Sequence, residues 1–410
     1  MTFLKVQLGC GVAAVALLVT SCASVQVKKA EPVYQIYAGS THAHTAYTSS
    51  HGANLQHLPN EKKFLFIDSN SVGHAINSVP VKDPEKAQGP PSAHFALAKS
   101  LGYDWYVTTD HSQEPSFYPT SPNAPDWIAS HNQAKAATDK NFVAISGYEH
   151  SENNGPGATG HLNVINSRSY LNALAPGMDI KYLYKWLDTV SSYDGNPVVA
   201  TFNHPSAKGY DNWAYRDPKV TDIITMLELI NSNKNIHYDG FVNALDAGWK
   251  VSPVCGNDNH GLEGIKNSKS RTFVLATAKT KAAILDAMKN RRTYAALEGN
   301  IQCRYTVNGE IMGSTLKSPT SFKFDIQVSD PDVSDPKDKI TRIDIVKDNG
   351  TVVETYNVPI PAHSVKWSPT ITDAANKYFF VRVWSDGGAD AGKVDATKPI
   401  AWLAPVWTGR

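Results

Sequence analysis

Seven apolar, strand-like runs in the first two thirds of the chain each meet a polar tip carrying histidine, aspartate or glutamate, and this repeat constrains the fold more than any other feature. "YQIYAGS" (34–40) meets "THAHT", with His42 and His44, and His51 follows a few residues on. A run at 103–108 meets Asp110 and His111, and one at 141–145 meets Glu149 and His150. His161 opens "GHLNVIN"; a run at 197–202 meets His204; "DIITMLELIN" carries Glu228; a run at 250–255 meets Asp258 and His260. Helical patterns lie between them, such as "AHFALAKSLG" with its closing glycine and "KAAILDAMKNRRT" (281–293). Strand, polar tip, helix is the mark of an α/β fold with a parallel sheet. In barrels of this kind the strand ends gather at one rim, so the tips are expected to converge.

The residue types at the tips fit one chemistry. Neutral imidazole and carboxylate hold zinc, manganese and iron. His-x-His on an extended segment turns both rings to one face, where they can chelate a single ion, and a carboxylate from another strand can bridge two ions. His57, His74, His94, His131, His237 and His363 stand apart from the tips and read as ordinary surface or core residues. His150 adjoins Glu149 but faces the other side of its strand, which makes it structural. Glu228 is either a rim carboxylate or the partner of a nearby base, and the sequence assigns it neither role.

The opening "MTFLKVQLGCGVAAVALLVTSCAS" has a charged start, a short apolar run and small residues before a cysteine, which is the pattern of a secretory signal. "VTSC" resembles a bacterial lipobox, which implies a signal peptide over 1–21, lipidation of Cys22, a tether over 22–33 and a lipid-anchored place in the bacterial cell envelope. The formal net charge is +1, so neither nucleic-acid binding nor an electrostatic membrane patch is expected. Cys255 and Cys303 could pair in an oxidising compartment.

The ordered set "HAH", "TTDH", "GYEH", "GHLN", "NHP", "GNDNH" resembles the PHP superfamily, named for polymerase and histidinol phosphatase. The stretch from "KSRTFVLATAKTKAAILDAMKNRR" to "NGEIMG" is similar to the region closing the barrel in carbaryl-hydrolase-like members, so the resemblance spans roughly 35–315. It implies a distorted (β/α)7 barrel with two or three divalent ions (Zn, Mn or Fe) at the strand ends. Position by position, His42 and His44 match the opening ligands of a first metal and Glu149 the carboxylate bridging to a second. Asp258 matches the last ligand of the first, and His161 and His204 match the histidines of the second. His111 and His260, with His51, match a third. Asp110 is expected to orient an imidazole, as metal-bound histidines require. Asp258 is also the candidate to accept or relay a proton from the attacking water. Asn163 and Arg271 are candidates to orient an anionic substrate group, with a structural role (capping or a surface salt bridge) as the alternative for both. The activity implied is metal-dependent hydrolysis of a small-molecule phosphoester. The alternatives are hydrolysis of a carboxylic ester, amide or carbamate on the same fold, and a non-catalytic metal- or glycan-binding surface lipoprotein.

From about residue 316 the texture changes to short alternating strands, with "DNG" (348–350) as a hairpin signal. This part reads as a small β-sandwich over 316–410, following the barrel over 34–315. "KPIAWLAPVWTG" reads as an edge strand whose Trp402 and Trp407 pack inward. The segment 51–92 is a long insertion near the first motif, expected to shape access to the site.

Overall fold

The computed structural model describes residues 1–2, 32–48, 88–117, 119–151, 160–173, 175, 177–232, 235–373, 375–386 and 399–410, with short strand pairings inside 56–80. Cys22, His51 and most of both the leader and the 51–92 insertion lie outside them. The chain divides into two compact units, Met1–Val33 and Tyr34–Arg410, and the elements below belong to the second.

The fold is mixed α/β around one large sheet. Its strands are β1 (Gln35–Ser40), β2 (Trp105–His111), β3 (Val143–His150), β4 (His161–Ile165), β5 (Val199–Asn203), β6 (Ile224–Asn231), β7 (Ser252–Gly256), β8 (Arg271–Ala276) and β9 (Thr293–Ala296). They run side by side in the order β6-β5-β4-β3-β2-β1-β8-β9, with β7 on the other side of β6. The helices between them start where local chemistry says they should. α1 (Pro91–Ser100) and α2 (Pro125–Ala137) carry proline in the first turn, where the missing N–H costs nothing. α3 (Ile180–Leu187) is capped by the Asp179 carboxylate, which accepts from the Tyr182 amide. The Thr280 hydroxyl caps α4 (Lys281–Lys289) in the same way.

The sheet is not all parallel. β1–β2, β2–β3, β5–β6 and β6–β7 pair in parallel. β4, however, runs antiparallel to both β3 and β5, and β8 runs antiparallel to β1 and β9. This reversal explains why His161 opens its strand while His111 and Glu149 stand at the far ends of theirs. His161 at the start of β4 lies opposite Asn203 at the end of β5, so both are on one rim.

Strand parity sorts side chains to the two faces. Trp105, Val107, Val143, Ile145, Ile165, Val199, Met226, Val254, Val274 and Ala276 meet in one apolar cluster, closed by Ile284, Leu285 and Met288 of α4. Positions of the same parity further along β2 and β3 are His111 and Glu149, so the strands that build this core also carry those groups to its rim. Those of opposite parity, Tyr106 and Ala144, pack instead with Phe95 and Ala98 of α1.

The C-terminal part is joined to this sheet, not appended to it. Ala401–Leu403, expected as an edge strand, lies between β9 and Tyr378–Ser385, and the sheet continues through Ile340–Lys347 to Thr351–Ala362. The hairpin at Asp348–Gly350 forms as its turn residues require, with Asn349 and Gly350 both at positive φ. A second sheet containing Gln302–Val307, Ser321–Ser329 and Ser364–Trp367 packs Tyr305, Phe322, Phe324 and Ile326 into a core shared with Phe273, Tyr294, Phe379 and Val381. Cys255 and Cys303 are buried free thiols rather than a pair, and burial pushes the Cys255 thiol up to about 12.

Candidate metal centre

The rim gathers His42, His44, His111, Glu149, His161, His204, Asp258 and His260. Two donors on one ion at about 2.1 Å stand roughly 3.0–3.5 Å apart for octahedral to tetrahedral angles. The separations here have that length. His42 Nε2 lies 3.0 Å from His44 Nε2 and 3.5 Å from Asp258 Oδ1, and His44 Nε2 lies 3.1 Å from the same oxygen. Glu149 Oε1 is 3.5 Å from His42 Nε2, 3.1 Å from His161 Nδ1 and 3.5 Å from His204 Nε2. Glu149 Oε2 is 3.4 Å from His44 Nε2 and 3.0 Å from His111 Nε2. Glu149 thus stands between the His42–His44 pair and the His161–His204 pair, Oε1 reaching His42, His161 and His204 and Oε2 reaching His44 and His111, which is the place of a bridging ligand.

Among the described residues, three groups have donor atoms mutually within 4.8 Å: His42, His44 and Glu149; Glu149, His161 and His204; and His44, His111 and His260. His44 stands in two of them, but a neutral imidazole has one lone pair, and its Nδ1 faces the Thr48 hydroxyl at 3.3 Å. His44 can therefore serve one ion only. A third ion would rest on His111, His260 and a further donor. The residues present fit two divalent cations, with His42, His44, Glu149 and Asp258 around one and Glu149, His161 and His204 around the other.

The electrostatics favour positive charge at this place. Burial disfavours the imidazolium of His42, but Asp258, Glu149 and Glu228 together outweigh it and hold its pKa well above the ordinary value. Burial acts on Glu149 in the upward sense and is overcome by His42 and His161, so that carboxyl stays well below its usual range. Asp258 is likewise lowered, burial being outweighed by His42 and His44. His111 is raised to about 9 because Glu114 and Glu149 overcome its burial. His44 goes the other way: burial, then His111 and His260, keep it neutral. Protons or cations must balance the carboxylates, and a site built of imidazole lone pairs selects cations.

Residues that the sequence left unassigned hold the donors in place. Glu228, fully buried, accepts from His42 Nδ1 at 3.0 Å through Oε1 and from the His204 amide at 2.8 Å through Oε2. It fixes the His42 tautomer with the Nε2 lone pair aimed inward. Asn231 Nδ2 donates to Glu228 Oε2 at 2.9 Å and to Asp258 Oδ2 at 3.0 Å, and Asn203 Nδ2 donates to Glu149 Oε1 at 2.9 Å. Glu114 Oε1 is 3.5 Å from His111 Nδ1. Gly256 is glycine for a steric reason: a Cβ there would fall 1.6 Å from Glu228 Oε1 and 2.7 Å from His42 Cβ. His204 and Asp258 have φ of 30° and 47°, a region that side-chain-bearing residues seldom adopt and that concentrates at functional sites.

Three expectations need correction. Asp110 has the outward parity of β2 and, among the described residues, bonds no imidazole directly. Its carboxylate takes the Thr45 amide at 2.6 Å and the Thr45 and Thr48 hydroxyls at 2.8 Å. It therefore acts on His44 only through Thr48, and burial raises its pKa to about 6. Arg271 shares the parity of Phe273 and Leu275, not of Val274. Its guanidinium lies 3.6 Å from the Tyr103 ring centre and donates to the Ser268 and Ser270 carbonyls at 2.9 Å, so it braces a loop instead of reaching toward a substrate. Asn163 faces inward but is fully buried, and its Nδ2 donates to the Thr41 carbonyl at 3.1 Å; it braces the start of the His42–His44 segment.

Fold and site together define a mixed α/β protein with a buried imidazole–carboxylate centre able to hold more than one divalent cation. No protein-family model matches the sequence, and no curated protein does. Among solved structures the chain is similar to a two-domain protein containing a predicted PHP-like metal-dependent phosphoesterase from Bacteroides vulgatus. That pair shows 13% identity and a TM-score of 0.42 over 91% of this chain and 95% of the other. It is also similar to a lesion-specific endonuclease from Pyrococcus furiosus, with 12% identity and a TM-score of 0.33 over 62% of this chain and 56% of the other.

Proposed function

We propose that the chain is a metal-dependent hydrolase of the PHP type that acts as a phosphoesterase. The observation that carries this is Glu149, whose two oxygens each face separate imidazoles at 3.0–3.5 Å. Divalent cations bound there would supply Lewis acidity and an acidified water. The chain's own residues do the rest. Glu149 holds the two halves of the centre in register. Asp258 is the more open of its two carboxylates, with a side chain 20% exposed against 1% for Glu149, and Asn231 fixes one of its oxygens. It is the group placed to take the proton from the attacking water. Glu228 and Glu114 hold the His42 and His111 imidazoles in one orientation, and Asn203 holds the Glu149 carboxylate.

The architecture is read as a distorted barrel over 34–315, supported by the apolar cluster to which β2 through β8 contribute, with a sandwich-like C-terminal part over 316–410. The "VTSC" motif supports a lipid anchor at Cys22 and a place in the bacterial cell envelope. The test is hydrolysis of p-nitrophenyl phosphate and bis-p-nitrophenyl phosphate with manganese or zinc, against a His42→Ala, His44→Ala double variant. Metal-dependent turnover lost in the variant supports the reading. Cleavage of naphthyl carbamates or acetates with no phosphoester turnover moves the activity to the carboxyl-ester alternative. No turnover of either class, with metal bound, leaves a binding protein.

A further inference from the structure

A cavity of about 700 Å³ lies beside the centre, lined by Asn235, Ile236, His237, Tyr238, Arg382, Pro399 and Trp402. Its walls come from the short strand Asn235–Ile236 that pairs with β6, from the start of the helix Tyr238–Asp246, and from the C-terminal part that extends the sheet. One ring separates it from a metal-ligand candidate: His237 and His204 have centroids 6.5 Å apart, and His237 Nδ1 is 3.0 Å from the Pro205 carbonyl. The lining is mostly apolar or aromatic, and the size is that of a small-molecule site. Arg382 is tied at its tip to Asp344 at 3.0 Å and to the Tyr238 hydroxyl at 3.3 Å, which holds the guanidinium still. Arg342 shares the same carboxylate at 2.7 Å.

We infer that this cavity takes the non-reacting, aromatic part of the substrate. The protein then acts on organic phosphoesters with a flat apolar group, and not on small alkyl phosphates. This rests on the phosphoesterase reading. The aromatic group packs against Ile236, Tyr238 and the edge of Trp402, and the ester reaches past His237 to the rim.

The test uses non-hydrolysable probes, so leaving-group reactivity does not enter. Benzylphosphonate and methylphosphonate are titrated into the metal-loaded full chain by calorimetry, alongside Ile236→Trp, which fills the cavity from its partly exposed edge, and Tyr238→Ala. Metal content is measured in each. The expected result is benzylphosphonate binding about tenfold or more tighter than methylphosphonate, the scale of burying one ring. Both variants should shrink that preference without losing metal. Equal binding of the two probes by the unaltered chain overturns the inference, as does a preference that survives Ile236→Trp. Failure of either probe to bind, together with absence of phosphoester turnover, defeats the phosphoesterase reading itself.

Discussion

Replacing Glu228 by glutamine tests the most specific claim about how the centre is held. The carboxylate accepts from His42 Nδ1 at 3.0 Å, from the His204 amide at 2.8 Å and from Asn231 Nδ2 at 2.9 Å. A glutamine keeps the shape but has one acceptor end and one donor end. If its NH₂ faces His42, it drives the imidazole proton to Nε2 and removes the inward lone pair. If its NH₂ faces the other way, it opposes the His204 amide and Asn231 donor to donor. Either orientation loosens a ligand residue. Each lost charge-assisted bond is worth roughly 1.5–3 kcal/mol when buried, and losing the partner of a metal-bound histidine costs about 10–100-fold in metal affinity. The assay is chelator competition, with metal-to-chain ratio by elemental analysis and circular dichroism to confirm folding. Glu228→Gln should stay folded and bind its weakest ion about 10–100-fold less tightly. A folded variant with unaltered affinity and stoichiometry would refute the reasoning.

Gly256→Ala should act on the same groups, because its Cβ collides with Glu228 and His42. Metal content should fall, with a loss of about 1–3 kcal/mol in urea unfolding. Arg271→Ala should lower stability by about 1–3 kcal/mol through its lost ring stack and carbonyl contacts, while KM in the phosphoesterase assay stays unaltered. His131 stacks on Tyr193 at 3.7 Å, and burial, then Lys281, depress its pKa to about 3. As pH falls below about 6.5 the unfolded chain takes a proton there and the folded chain does not, so stability present above that pH is lost toward about 3. His131→Phe should flatten this acid limb, read as urea midpoints at neutral pH and near pH 4.

Much of the centre was legible because its donors lie in short runs at strand tips, where residue type alone points to chemistry. His42, His44, Glu149, His161, His204 and Asp258 came from that pattern. Strand parity already turns Arg271 away from the rim, since Phe273 and Leu275 share its face, and makes the action of Asp110 on His44 indirect, through Thr48, since Tyr106 shares the face of Asp110. Glu228 was seen but not placed, because its role depends on a contact across 186 residues with His42. Glu114 had a readable signal, three residues after His111. The antiparallel entry of β4 and the insertion of Ala401–Leu403 into the main sheet had none. Strand pairing direction is set by tertiary packing, and neither alternation nor turn chemistry in those segments fixes it.

The most direct test of a shared centre is a structure of the manganese- or zinc-loaded protein with anomalous scattering recorded at the metal edge. The account predicts two peaks with Glu149 between them, one bounded by His42, His44 and Asp258 and the other by His161 and His204. Peaks elsewhere, or a single ion that Glu149 does not touch, would contradict it.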